Sequence, residues 1–195
     1  MLAPAFDDPA LASQAVFRTV MEALARPGQA RPLEATLAAP PPLTATAAAV
    51  ALTLLDYETP FWLDQELAAA FEVASWIKFH TGAPLTADAA LAAFAFVSDP
   101  AAMPAFDAFS SGSIEYPDRS TTLVVQVARF DQGEALALAG PGIAGTTDFS
   151  AQPLPPDFRA RLVTNRALFP RGVDLILVSP DAVAALPRSV RVADR

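Results

Sequence analysis

The stretch Asn165-Arg-Ala-Leu-Phe-Pro-Arg-Gly-Val-Asp-Leu-Ile-Leu-Val178 restricts the possible folds more than any other part of the chain. A helix-like run ends in Pro170-Arg171-Gly172, and an apolar run follows at once. Proline discourages the helix from continuing, and glycine reaches backbone conformations closed to other residues. Val173–Val178 then suits a buried strand. A helix feeding directly into such a strand makes the fold mixed α/β. Arg166 and Arg171 frame the joint.

Similar reasoning along the chain yields alternating helices and strands. Asp8 caps and Pro9 opens a first helix, with Val16, Val20 and Ala23 on one face and Arg26-Pro27-Gly28 as its stop. Thr44–Leu55 reads as a second, largely buried helix. Thr59-Pro-Phe-Trp-Leu63 reads as an edge strand, because Pro60 cannot donate to a ladder. Glu66–Phe79 reads as one helix with Leu67, Phe71, Ala74 and Lys78 in a row, stopped by Gly82. A strand over Ala92–Val97 and a short helix over Ala101–Phe109 follow. Thr121–Phe130 is the clearest strand. A turn at Asp131-Gln-Gly133 and a returning strand at Glu134–Ala139 predict a hairpin. Pro156–Leu168 completes the helices, and Val190–Val192 is a last short strand. Interleaved elements of this kind predict a single domain over 1–195, a three-layer α/β/α sandwich around a mixed sheet.

At 195 residues a domain buries roughly 70% of its unfolded surface, so no metal or disulfide is required. There is no cysteine, which excludes thiolate chemistry and zinc–thiolate sites. One histidine, His80, and one lysine, Lys78, leave a narrow acid/base repertoire. A net charge of −8 argues against a nucleic-acid partner. The charge is uneven: residues 1–158 carry 6 cationic and 18 acidic side chains, whereas 159–195 carry 7 and 3. Only 17% of residues are charged, which points to oligomer or complex surfaces. The N-terminus lacks a basic region followed by an apolar core, and 43–55 is too short to span a bilayer, so a soluble cytoplasmic protein is expected.

Four constellations carry candidate chemistry. Gly140-Pro-Gly142-Ile143 can bring backbone N–H groups to an anion, or can simply end a strand. Lys78 and His80 can serve as Schiff-base lysine and general acid/base, or as cations at a helix C-terminus; residues two apart on a helix do not face each other. Asp56 and Glu58 can share a metal or decorate a loop. Arg166 and Arg171 suit phosphate or carboxylate, or belong to the framework, with Asp174 a ready partner for Arg171.

The chain also resembles the PhnH family, the H subunit of the bacterial carbon–phosphorus lyase system for phosphonates. The resemblance rests on Gln14-Ala-Val-Phe-Arg18 with Met21 and Pro27-Gly28; Leu52-Thr-Leu-Leu-Asp56 leading to Thr59-Pro-Phe-Trp-Leu63; Lys78-Phe-His-Thr81; Thr122-Leu123 with Gln126-Val-Ala128; Leu136–Ile143; Phe169–Leu177; and Pro187-Arg188. It implies a fold like the large domain of type-I pyridoxal-phosphate transferases without the cofactor site, hence no cofactor. It also implies a homodimer, and a core complex with the G, I and J subunits. That complex moves a phosphonate onto the ribose C1′ of ATP to form ribose 1-phosphonate 5-triphosphate. The resemblance carries over no catalytic residue. It leaves Arg166, Arg171, Gly140, Gly142, Lys78 and His80 as candidate anion or partner contacts, and a nucleotide or phosphonate as an open ligand question. The competing expectation is a stand-alone pyridoxal- or nucleotide-dependent enzyme using Lys78 and His80.

Overall fold

The computed structural model describes residues 5–193. Its centre is a six-stranded mixed sheet, ordered β1-β10-β9-β4-β3-β2. The strands are β1 (Arg31–Pro32), β2 (Phe61–Leu63), β3 (Phe94–Val97), β4 (Thr122–Gln126), β9 (Asp174–Val178) and β10 (Ala182–Leu186). β2, β3, β4 and β9 run parallel; β10 pairs antiparallel with β9, and β1 antiparallel with β10, so only β10 runs against the rest. Side chains alternate through this sheet. Phe96, Val124 and Ile176 join one core, while Ala95, Leu123, Val125, Leu175 and Leu177 join the other.

The first core lies under α1 (Pro9–Ala25), α2 (Ala45–Leu54) and α4 (Phe71–Thr81). Asp8 caps α1 by accepting the Leu11 N–H at 3.1 Å, as its position before Pro9 predicts. Residues 46–51 of α2 are all buried, and their small side chains let the helix wedge between α1 and α4. The second core lies under α5 (Phe158–Ala167), several 3₁₀ turns and two small sheets. One small sheet is β11-β6-β7, from Arg191–Val192, Leu136–Ala139 and Thr147–Phe149; the other pairs β5 (Arg129–Phe130) with β8 (Ala151–Gln152).

Three expectations are corrected, and one strand is added. β4 and β6 form no hairpin: β4 lies between β3 and β9 in parallel, and β6 pairs with β7 and β11. The apolar run Leu123–Val125 lies in a central strand with both edges taken, which leaves no edge for a return. The 66–79 helix is two helices, α3 (Gln65–Ala69) and α4, broken at Ala70 (φ −86°, ψ 88°). The break turns Val73, Trp76 and Ile77 to the sheet and leaves Phe71 and Lys78 exposed. Pro104 splits the 101–109 helix into 3₁₀ turns at Pro100–Ala102 and Phe106–Ala108. β10 was not expected, because Ala182-Val-Ala-Ala-Leu186 carries little β-branched character. No helix of the described residues is long and apolar enough to cross a membrane.

Candidate functional site

The helix-to-strand joint is closed by one side chain. Asn165, buried on the last turn of α5, accepts the Val173 N–H at 2.9 Å and donates to the Val173 carbonyl at 2.9 Å. Its amide acts as a strand partner for a residue with no strand beside it. Gly172 (φ 123°) is required here, since a Cβ would stand 2.7 Å from the Asn165 Oδ1. Arg166 stacks over the exposed Phe169 ring, 4.6 Å from its centre. Arg171 does not take Asp174. That carboxylate receives the guanidinium and backbone N–H of Arg188, and the same guanidinium reaches the Pro117 carbonyl and the Ser120 hydroxyl. The Arg188 side chain is 15% exposed and that of Asp174 21%. β10 returns antiparallel to β9, which brings the residue just beyond its end to the start of β9.

Lys78 and His80 occupy the last turn of α4, before Gly82 in the left-handed region. The His80 ring lies 4.7 Å from that of Trp76 and 5.0 Å from that of Phe79, within an aromatic cluster. Asp56 binds the Glu58 N–H at 2.9 Å and shapes its own loop. In Gly140-Pro-Gly142, the Ile143 N–H returns to the Gly140 carbonyl at 3.1 Å. A Cβ on Gly142 would come within 2.2 Å of the Ala25 carbonyl, so this glycine lets the turn meet the end of α1. Lys78/His80 and Arg166/Arg171 share the end of the sheet where the parallel strands begin, but β3 and β4 separate them, about 15 Å at ordinary strand spacing. The glycine turn, just after β6, packs against the end of α1 and joins neither pair.

Open α/β sheets bind ligands beyond the carboxyl ends of parallel strands, where strand order reverses. Here β2, β3, β4 and β9 follow one another in a single direction, with no reversal. The carboxyl ends of β4 and β9 are also closed by the chain itself. Gln126, at the end of β4, accepts the Thr44 N–H at 2.6 Å and donates to the Pro42 carbonyl at 3.2 Å. The Thr46 hydroxyl donates to the Ser179 carbonyl at 2.7 Å. The amino end of α2 is thereby fastened to the carboxyl ends of β4 and β9. Gln126→Ala should cost about 1–2 kcal/mol by leaving the Thr44 N–H without its acceptor, measured by urea unfolding.

A cleft of about 560 Å³ remains beside β2, lined in part by Trp62, Asp64, Glu66, Asp99 and Pro104. Asp64 is buried, and its carboxylate is fully engaged. It caps α3 through the Leu67 N–H (2.9 Å) and accepts the N–H groups of Ser98 (2.6 Å) and Asp99 (3.0 Å) and the Ser98 hydroxyl. It braces β2 against β3 rather than facing a substrate. Among the described residues no three His, Asp or Glu side chains gather to hold a metal. Sequence reasoning missed Asp64, Gln126 and the role of Arg188. A polar residue directly after an apolar strand was the available signal for the first two.

The described residues form a mixed α/β fold in which the buried polar side chains Asp64, Gln126 and Asn165 join one element to another. A family model described as "Bacterial phosphonate metabolism protein (PhnH)" matches residues 4–193. The chain belongs to this family. It is 45% identical over 188 residues, 96% of this chain and 94% of the relative, to the "Alpha-D-ribose 1-methylphosphonate 5-triphosphate synthase subunit PhnH" of Rhizobium meliloti (strain 1021). It is also 41% identical over 81 residues, 42% of each chain, to the "Putative C-P lyase subunit protein HtxG" of Stutzerimonas stutzeri.

Proposed function

We propose that this chain is an accessory, non-catalytic subunit of a cytoplasmic phosphonate-activating complex, in which it supports transfer of a phosphonate to the ribose C1′ of ATP. The full-length match to a synthase subunit carries this reading. The closed carboxyl ends of β4 and β9 support it, since a transferase of pyridoxal type would need that space. Lys78 lies at the opposite end of the sheet, away from the position such a lysine would serve. On this reading the chain is one domain, related to the large domain of type-I pyridoxal-phosphate transferases. It forms a homodimer when alone and joins the G, I and J subunits in the complex.

Co-expression with a tag on this chain tests the reading. The expected result is recovery of the other subunits in fixed stoichiometry. Recovery of this chain alone contradicts it.

A further inference from the structure

A cavity of about 310 Å³ lies between α5 and the Phe106–Ala108 turn, next to the helix-to-strand joint. The two elements leave it for local reasons. Phe106 and Phe109 are three apart in a 3₁₀ turn and so fall on one side. The flank of α5 that lines the cavity carries Ala160 and Thr164, where a packed helix presents large apolar side chains. Arg161, on the same helix, donates through Nη1 to the Met103 (3.0 Å) and Pro104 (2.8 Å) carbonyls. That strut holds the turn and the helix at a set distance.

The floor of the cavity is apolar and already ordered. Phe106, Phe109 and Val173 are all buried. The Phe106 ring packs edge-to-face with Phe158 at 6.4 Å, and the Phe109 ring with Trp62 at 5.5 Å. Two fixed rings favour a flat aromatic ligand. The rim is polar. Asp107, Ser111 and Thr164 line it, and their side chains bond to none of the described residues. A carboxylate accepts only, so it calls for N–H donors on the ligand; the two hydroxyls can donate to ring nitrogens. The charged residues of the lining are Asp107, Asp157 and Arg161, and Arg161 is already paired with Asp157 at 2.8 Å. The carboxylate left over repels a phosphate or phosphonate group. A fixed apolar floor with a few polar groups at the rim is the make-up of a small-molecule site, here one of small volume.

We infer that this cavity binds a free purine base, with Phe106 and Phe109 against the ring and Asp107 accepting its N–H groups. The proposed reaction supplies such a ligand. A phosphonate oxygen bonds to C1′ of ATP as the bond from C1′ to the base breaks, and the base leaves with that electron pair and takes a proton from water. The inference rests on the transfer reading above for the source of the base, and adds where the leaving group is held.

Titration calorimetry of the full-length chain tests it, with adenine, ATP and methylphosphonate as probes. The expected result is one adenine per chain and no heat from ATP or methylphosphonate. Asp107→Ala should bind adenine at least about tenfold more weakly, and Ala160→Phe, which fills the cavity, should not bind it. Both positions are exposed, so thermal unfolding should match the wild type. No adenine binding by the wild type overturns the site. So does binding unchanged in both variants, or ATP binding as tightly as adenine. Subunit capture on co-expression reports separately on the assembly reading. Normal capture without adenine binding defeats the site alone, and adenine binding without capture defeats the assembly reading alone.

Discussion

Arg188→Ala should destabilise the fold by about 3 kcal/mol, as large a loss as is expected from any single polar side chain described here. The guanidinium serves three acceptors at once: the Asp174 carboxylate at the start of β9, and the Pro117 carbonyl and Ser120 hydroxyl in the approach to β4. Removing it leaves Asp174 with the Arg188 backbone N–H and little water. Lysine should not rescue, because a single ammonium cannot reproduce the planar fork that spans these acceptors. Urea denaturation of Arg188→Ala, Asp174→Ala and the double variant checks this. The expected coupling is well above 1 kcal/mol, against the few tenths typical of an exposed pair.

Asn165→Ala is the second large effect, again about 3 kcal/mol. The change strands both polar groups of Val173, a residue 1% exposed, at the point where α5 passes into β9. Water has poor access, so the desolvation cost is paid in full. Asn165→Asp should restore less than half of the loss, because a carboxylate accepts the Val173 N–H but has no donor for the carbonyl. Hydrogen exchange at Val173 and Asp174 gives a local readout, with faster exchange expected in both variants while the α1–α2 region stays protected.

The joint itself was legible in sequence because three local rules agree there: proline stops the helix, glycine supplies the turn, and the apolar run needs burial. The same holds for the Asp8 cap and for β2 as an edge strand. What escaped depends on contacts between distant residues. An apolar strand followed by a turn and a second apolar strand is a hairpin by local rules. Whether β4 pairs with β6 or with β3 and β9 is decided by which edges are already taken. β10 was hidden by its alanines, which a central position tolerates and propensity does not signal. The candidate residues divided in the same way. Arg166 and Arg171 were visible as a pair, but the partner of Asp174 is 14 residues away, and Arg166 meets Phe169 instead.

The central claim is that this chain supports a phosphonate-transferring complex without performing the chemistry. Adenine release from ATP in the presence of methylphosphonate tests it most directly, measured for this chain alone, for the remaining subunits without it, and for the full set. The account predicts no release by the chain alone, strongly reduced release without it, and restoration when it is added back in stoichiometric amount. Turnover by the isolated chain, or a full rate in its absence, would contradict the account.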